Sequence, residues 1–393
     1  MHTIIAEKFI SAGELSMSHK KLLFSSFYAF FYAGIVTLTI GSALPDLSSA
    51  HNLSYSVSGA LLSCYSLGNL SSGLVFSLSA MYLGQKAAII ILTLLITLGM
   101  TTLTLTGLPA ILFAACALTG LGRGSLITSS QGTVSLITGG KAQTTIMLHA
   151  TFAVGAIIAP LLFSALRVID WRSGIILVAI MGLVGVGLFM SIKDYPAVKR
   201  TSGGALTFLH DKGFIIASAL IFLYLCCEYS INGWLVTYMT HKNMTMNFSQ
   251  SMAALLWVVM LIGRLICAWM SNYVRQKNIL LVLSLGSSIF FGLMLKSEGR
   301  MFIALSVGLV GLCMSGISPL IYASSAKYTN KYPLAMGVLF TVGCLGGTLM
   351  PLTTGIIAEH LGFTAGMSAI LVTFALLLVF AAINLAVSDK ISE

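Results

Sequence analysis

One carboxylate, Glu228, lies inside a long apolar stretch of the sequence. Residues 213–238 read GFIIASALIFLYLCCEYSINGWLVTY and contain no other acid. About 20 apolar residues cross the hydrocarbon core of a bilayer, so this stretch is predicted to be a membrane span with Glu228 close to its centre. A carboxylate at that depth is costly unless it is protonated, paired or facing water. The expected chemistry is the binding of a proton or a solute, and the alternative is a protonated acid that hydrogen bonds a neighbouring helix.

Three other residues that can carry charge fall well inside apolar stretches: Arg123, His149 and Arg264. Arg123 is the midpoint of the predicted span 109–137 and lies at a depth similar to that of Glu228, so we expect an ion pair between them or a joint contact with a solute. The alternative for Arg123 is a structural guanidinium bonded to helix carbonyls. We predict proton coupling at Glu228 and His149, because the pKa of histidine suits a proton pathway. A lone histidine is also a common hydrogen-bonded packing residue.

Neutral polar and aromatic residues in the same stretches complete the predicted site. Asn232 follows Glu228 by four residues and therefore lies on the same helix face. Neutral hydroxylated solutes are held by directional hydrogen bonds and aromatic surfaces instead of net charge. The mixture favours a sugar or a similar small polar solute, although the same residue types also join helices, and Trp234 has an alternative place in the outer aromatic belt. The predicted substrate-binding residues are Arg123, Gln131, Glu228, Asn232, Trp234, Asn69 and Tyr224, with Tyr229 as a further contact.

Composition indicates which elements position these residues. Of the 393 residues 57% are hydrophobic and 8% are charged, and the mean hydropathy is +0.98, whereas average globular proteins are about 25% charged. The apolar runs are continuous and twice the length of the strands of a β-barrel, so an all-α membrane protein is predicted. The predicted spans are 22–44, 55–80, 87–106, 109–137, 143–166, 173–192, 213–238, 249–271, 279–295, 300–326, 333–358 and 363–387.

The twelve predicted spans divide into two halves of six. Residues 193–212, KDYPAVKRTSGGALTFLHDK, form the longest polar stretch between spans and are predicted to be a linker. It separates a half at 20–192 from a half at 213–387, with short tails at 1–19 and 388–393. A weak internal repeat supports the division, because GLVFSLSAMYLGQK in the second span aligns with GRLICAWMSNYVRQ in the eighth. Parallel six-span repeats are typical of transporters that bind solute between the halves.

The net charge of +10 is explained by topology, since the basic residues are scattered among loops and form no patch with interleaved aromatics, as a nucleic-acid site would. Most Lys and Arg residues lie on the side of the membrane that holds both termini, which the positive-inside rule places in the cytoplasm. The predicted location is the plasma membrane, which is the inner membrane in a bacterium, and a monomer is expected. All seven cysteines lie in apolar runs, so neither a disulfide framework nor a metal site is expected. No cofactor is expected, and without a phosphate loop or a catalytic triad we predict no enzymatic activity.

Four stretches resemble the fucose/glucose-type sugar:proton symporters of the major facilitator superfamily. FLYLCCEYSINGWLVTYM from Phe222 is similar to the family's seventh span, LLWVVMLIGRLICAWMS from Leu255 to its eighth, GLCMSGISPLIYASSAKY from Gly311 to its tenth, and HATFAVGAIIAPLL from His149 to its fifth. The resemblance implies a cavity lined by the first, fourth, seventh and tenth spans, a solute site near the membrane midplane, and alternating access. It also implies a gating or structural role for Arg264, which lies where the family keeps a basic motif.

The chain departs from that family in its fourth span. The family pattern resembles GxGxGxxE, whereas this chain reads GLGRGSLITSSQG, with Ile127 in place of the acid and Arg123 one turn earlier. Positions four residues apart share a helix face, so if the family's acid faces the cavity, Arg123 does too. No acid replaces it on the first span, because Asp46 follows Pro45 and is expected to be a solvated loop residue.

The sequence therefore predicts a proton-coupled importer of a sugar or similar solute, with three alternatives. The stretch GAIIAP, from Gly155 to Pro160, is faintly similar to a motif of proton-driven exporters of drugs or metabolites. The missing acid and the added Arg123 suit a transporter of an organic anion. A receptor or scaffold without transport activity would be distinguished by the absence of solute flux.

Overall fold

Twelve helices long and apolar enough to cross a membrane are found in the described part of the chain, which confirms the predicted all-α membrane fold. The structure is a computed structural model. It describes residues 17–138, 142–192, 195, 207–271, 273–325, 328 and 333–392. Most of the predicted linker (193, 194 and 196–206) and most of the predicted N-terminal tail (1–16) lie outside the described residues.

The helices closely follow the predicted spans. A short 3₁₀ helix, Thr207–His210, precedes the second half. The last helix continues beyond the predicted end of its span. The helices are α1 (Met17–His51), α2 (Tyr55–Leu83), α3 (Gln85–Leu105), α4 (Pro109–Ile137), α5 (Ala142–Leu166), α6 (Arg172–Met190), α7 (Lys212–His241), α8 (Met246–Met270), α9 (Gln276–Lys296), α10 (Arg300–Ser324), α11 (Pro333–Leu361) and α12 (Phe363–Ser392).

Polar side chains cap three of these helices at their N-termini. Ser54 accepts a hydrogen bond from the amide of Val57 at the start of α2. Asp211 does the same for Gly213 at the start of α7, and Thr245 caps α8. The first amides of a helix have no partner within the helix, so a side-chain oxygen there fixes where the helix begins.

The prediction that Asp46 is a solvated loop residue is wrong. Helix α1 continues through Pro45 to His51, although this proline has no N–H to donate to the carbonyl of Gly41. Asp46 therefore lies on the helix, where its carboxylate accepts hydrogen bonds from Arg167 at the end of α5, the shortest of them 2.8 Å long. Its side chain is only 15% exposed.

Helix α10 is interrupted at Ser315 and Gly316, between the helical pieces Arg300–Met314 and Ile317–Ser324. Pro319 follows the interruption and has no N–H to donate back to Ser315. The continuous span predicted for 300–326 is thus two shorter helices. The break brings Ser315 against Gly263 of α8, where an added Cβ would lie 2.4 Å from the serine oxygen.

In the part of the chain that the structure describes, the halves pack against each other most extensively through α1 with α7, α2 with α11, and α5 with α8. We call the end of the bundle where α1 and α7 begin the linker end, and the opposite end the closed end. At the closed end backbones of the two halves touch. A Cβ on Gly41 of α1 would lie 2.1 Å from the carbonyl oxygen of Asn232 on α7, and a Cβ on Gly59 of α2 would lie 2.7 Å from that of Pro351 on α11.

Candidate functional site

A cavity of about 740 Å³ lies between the two halves and is lined by residues of α1, α2, α4, α5, α7, α8, α10 and α11. Its lining is buried towards the closed end, at Ile40, Gly41, Leu62, Gly233 and Pro351. Its lining is exposed towards the linker end, at Thr128, Gln131, Gly132, His149, Gly337 and Phe340. The cavity therefore opens at the linker end.

Arg123 lies in the wall of this cavity on α4 and is only 8% exposed. Its Nε donates to Oγ1 of Thr37 at 3.0 Å, and its Nη1 donates to Oδ1 of Asn69 at 2.8 Å. Its guanidinium carbon is 5.5 Å from the centre of the Phe152 ring. No carboxylate lies within ion-pair distance of Arg123 among the described residues, so this buried cation is held by neutral groups alone.

Asn69 links Arg123 to the other half of the protein. Its side-chain nitrogen donates to the hydroxyl of Tyr229 on α7 at 3.3 Å and to the sulfur of Cys344 on α11 at 3.7 Å. Both oxygen and nitrogen of this buried amide are therefore engaged. The hydrogen bonds from Arg123 to Asn69 and from Asn69 to Tyr229 therefore link one half to the other across the cavity wall.

Glu228 lines the same cavity from α7 and is half-buried. Within the described residues its carboxylate makes no ion pair. The hydroxyl of Tyr224, one turn earlier, is buried without a regular hydrogen bond, although it is close enough to interact electrostatically with Glu228. Arg264 interacts with the carboxylate more strongly than Arg123 does. The expected direct pair between Arg123 and Glu228 is thus not formed in this structure.

Arg264 lies in the cavity wall on α8, half-buried, with its guanidinium carbon 5.7 Å from the centre of the Trp257 ring. Its Nε is buried without a hydrogen-bond partner. Its charge acts on His149 of α5 as well as on Glu228. His149 is exposed to the cavity, and its ring packs nearly perpendicular to that of Phe30, with the ring centres 5.4 Å apart. Arg264 is therefore the basic group that both predicted proton-coupling residues share.

The cavity brings together most of the predicted site residues and leaves out two. Arg123, Gln131, Glu228, Asn232, Asn69, His149 and Arg264 all line it, together with Tyr229. Tyr224 is fully buried behind Glu228. Trp234 is also fully buried, with its Nε1 donating to the carbonyl of Pro351 at 3.1 Å. Trp234 packs at the closed end, neither in the cavity nor on the lipid-facing surface where an aromatic belt would lie.

Several cavity residues were not identified from the sequence, among them Thr37, Tyr65, Phe152 and Trp257. Trp257 donates to the Asn232 side chain at 3.2 Å, and its ring is 5.8 Å from that of Phe152. The spacing of residues along a helix could have identified two of them, because Tyr65 precedes Asn69 by one turn and Trp257 precedes Arg264 by two turns, which places each pair on one helix face. For Thr37 and Phe152 only the packing of α1 and α5 against α4 reveals the contact.

Comparison with known proteins places these features in context. A family model described as the Major Facilitator Superfamily matches residues 22–297. A curated relative, the putative niacin/nicotinamide transporter NiaP of Bacillus subtilis (strain 168), is 25% identical over 341 residues, which cover 80% of this chain and 84% of that protein.

Two solved structures share the fold. The nucleoside transporter NupG superposes with a TM-score of 0.69 at 15% identity, covering 94% of this chain and 98% of that one. A D-xylose-proton symporter superposes with a TM-score of 0.76 at 11% identity, covering 92% of this chain and 96% of that one. At such low identity these likenesses describe the fold and not the solute.

Proposed function

This chain belongs to the Major Facilitator Superfamily of transporters, and we propose that it carries a small polar organic solute together with a proton by alternating access. The observation that carries the proposal is the position of Glu228. It is the only acid that lines the cavity among the described residues, and it has no fixed ionic partner. An acid with no permanent partner is free to take up and release a proton as its surroundings change.

The surroundings of Glu228 support this role. The charge of Arg264 and the neighbouring hydroxyl of Tyr224 favour the ionised carboxylate, whereas burial disfavours a charge at this position. Conversion between the two forms changes the charge at the centre of the cavity. A solute that enters beside Glu228 therefore meets a different electrostatic environment in each form, which is what coupling requires. His149 is proposed as the relay towards the linker end, because it is exposed there and shares Arg264 with Glu228.

We further propose that the linker end faces the cytoplasm. The basic residues of the short loops concentrate at this end, as the positive-inside rule requires. Both termini would then be cytoplasmic, and the cavity described above would be open to the cytoplasm. The moving units would be the halves 20–192 and 213–387, working as a monomer in the plasma membrane.

The class of solute has two candidates within this proposal. A sugar is favoured by the amides of Asn69, Asn232 and Gln131 next to aromatic rings. An anionic solute is favoured by Arg123, which has no equivalent in the fourth-span pattern of the fucose/glucose-type symporters. The names of the related proteins, which mention niacin, nicotinamide, nucleosides and D-xylose, supply the compounds to test first.

The experiment is uptake by purified protein in liposomes with nicotinate, nicotinamide, uridine and D-xylose as solutes. A gradient of one pH unit is worth about 1.4 kcal/mol, so one coupled proton supports accumulation of about tenfold. We expect Glu228→Gln, which resembles the protonated acid, to abolish this accumulation while solute exchange across the membrane continues. Glu298→Gln, in the loop between α9 and α10 and outside the cavity, is the matched control and should accumulate solute normally.

Three results would contradict the proposal. Undiminished accumulation by Glu228→Gln would show that another group carries the proton. Accumulation that requires the opposite pH gradient would show proton-driven export in place of symport. Loss of exchange as well as accumulation in a folded Glu228→Gln protein would assign the carboxylate to solute binding instead of coupling.

A further inference from the structure

The charged side chains of the cavity are unbalanced. Arg123 and Arg264 are positive, Glu228 is the only acid, and the remaining ionisable lining groups of the described chain are His149 and tyrosines. With Glu228 ionised the cavity keeps one excess positive charge, and with Glu228 protonated it keeps two. A buried cation is costly without a partner. Because Glu228 can balance only one of the two arginines, the other arginine requires an anion that the protein itself does not supply.

We infer that the solute is a planar aromatic or heteroaromatic monocarboxylate, whose carboxylate binds Arg123 and whose ring lies against Phe152 and Trp257. This inference rests on the proposed transport through the same cavity and specifies its solute. It is carried by three observations: the unpaired guanidinium, the aromatic pair beside it, and the charge of the cavity in its two protonation states.

The geometry of Arg123 suits a carboxylate. Guanidinium has five N–H groups, of which Thr37 and Asn69 take one each in regular hydrogen bonds. Both acceptors are neutral and hold the side chain in one orientation. The hydroxyl of Tyr65, which lines the cavity near Arg123, is buried without a regular partner. A carboxylate can accept two hydrogen bonds from a guanidinium fork, and such charge-assisted bonds are stronger than bonds to a neutral sugar hydroxyl.

The aromatic surface lies next to this guanidinium. The Phe152 and Trp257 rings are 5.8 Å apart and inclined at 59°. Arg123 lies over Phe152 and Arg264 over Trp257, at 5.5 Å and 5.7 Å from the ring centres. A flat ring contacts such rings by stacking or edge-to-face, while its carboxylate reaches the adjacent arginine. The cavity of about 740 Å³ lies in the range of about 300–1,000 Å³ usual for small-molecule sites.

Charge supports the same class of solute. The empty transporter with Glu228 ionised and the transporter loaded with a proton and an anion carry the same net charge in the cavity. Loading with a proton and a neutral sugar would instead add a positive charge between two arginines, which is unfavourable in a low-dielectric site. Symport of a proton with a monoanion moves no net charge across the membrane, so the two classes of solute predict different electrical behaviour.

The first test compares acids with their neutral amides by the thermal stability of the purified protein. Nicotinate and benzoate should raise the melting temperature at lower concentrations than nicotinamide and benzamide, with apparent affinities that differ by about tenfold or more, since a charged hydrogen bond is worth at least 1.5 kcal/mol. Arg123→Gln should remove the difference, and Arg123→Lys should keep part of it by retaining the charge. Arg300→Gln, outside the cavity lining, should behave as the wild type.

Equal stabilisation by acids and amides, stabilisation by D-xylose alone, or an acid preference that survives in Arg123→Gln would overturn the inference. The melting temperature of each variant without solute shows whether the protein is folded. If Arg123→Gln does not fold, the comparison is made with Arg123→Lys, in which a preference for acids equal to that of the wild type would equally contradict the paired hydrogen bonds.

The second test separates this inference from the proposed proton coupling. In liposomes, a pH gradient without membrane potential should drive nicotinate uptake, and a potassium diffusion potential alone should not. Nicotinate uptake driven by the potential would mean that more than one proton moves with each anion, so the charge of the loaded cavity would not balance as inferred, and this would overturn the inference. If Glu228→Gln accumulates nicotinate normally, coupling at Glu228 fails, whereas exchange of nicotinate that still depends on Arg123 would leave the inference standing.

Discussion

The two ends of the cavity differ in how the halves meet. At the closed end a Cβ on Gly41 would lie 2.1 Å from a backbone oxygen of the opposite half, so there is no room for any side chain. At the linker end Gly132 and Gly337 also line the cavity, but a Cβ on either would have no atom within 4 Å. Small residues therefore occur at both ends, and only those at the closed end are in contact.

This difference is what the proposed alternating access predicts for glycines that serve two conformations. Alternating access requires that the linker end closes when the opposite end opens. Surfaces that approach backbone to backbone need residues without side chains, as Gly41 shows. We expect the glycines at the linker end to make comparable contacts in the other conformation.

The largest expected effect is that of a side chain on Gly41. Gly41→Leu cannot be placed against the Asn232 carbonyl, so the closed end should open. Overpacking costs roughly 1–3 kcal/mol, which shifts the ratio of the two conformations by roughly 5- to 150-fold. Gly132→Leu is the matched control, because the same side chain fits at the linker end in this conformation. Spin labels on cysteines at the exposed positions Ser49 and Glu298 would report the opening as a longer distance.

Two outcomes would break the comparison. An unchanged distance in Gly41→Leu would show that the closed end yields locally without opening. A longer distance in Gly132→Leu would show that a side chain at the linker end also disturbs the contact at the closed end. The seven native cysteines are buried or half-buried, so labels at exposed sites are favoured over them.

A smaller effect is expected from Glu359, which connects the halves at the closed end. Its Oε2 accepts a hydrogen bond from the amide of Ser56 at 2.8 Å, in the first turn of α2. A carboxylate there also interacts favourably with the helix dipole. Glu359→Gln keeps an oxygen acceptor and loses the charge, while Glu359→Ala loses both. The label distances should lengthen least in the glutamine variant, more in the alanine variant, and less in either than in Gly41→Leu.

High salt supplies the control for this prediction. Exposed charges are screened over about 10 Å at 0.1 M salt, so added salt should bring the wild type towards Glu359→Gln and leave that variant unchanged. Equal distances in the wild type and Glu359→Ala would show that the bond to Ser56 does not contribute to closure.

The sequence predicted the spans well because length and hydropathy alone decide whether a segment can cross a bilayer. Local rules failed where the outcome depends on neighbours. Pro45 was expected to end α1, but Arg167 holds Asp46 on a helix that continues. The interruption of α10 before Pro319 was likewise not anticipated.

Within the site, Arg123 and Glu228 lie near the midpoints of their predicted spans, and helices of similar length bring their midpoints to the same depth in the membrane. Both residues line one cavity. The sequence alone does not show which residues on other helices they contact. Helical spacing gives the face of a helix but not the helix that it meets, so the contact of Arg123 with Asn69 was not foreseen. For the same reason Trp234 was assigned to the solute site, whereas it packs against Pro351.

The smallest effect is expected from the ion pair of Asp46 with Arg167, which lies at the same end as Gly41 but within one half. Both residues move together with α1 and α5, so the pair should be kept in both conformations. Asp46→Asn, Arg167→Gln and the double variant should leave the label distances unchanged.

The side chains of Asp46 and Arg167 are 15% and 44% exposed, and pairs this exposed contribute roughly 0.2–1 kcal/mol to stability. The hydrogen bonds that Arg167 donates to Asp46 keep the pKa of the arginine above its usual value, so the arginine stays charged at every pH of interest and the cycle can be measured at neutral pH. A coupling energy above about 1 kcal/mol, or an opening of the closed end in any of the three variants, would mean that a contact within one half also sets the balance between conformations. The distinction between contacts that join the halves and contacts that hold one half together would then fail.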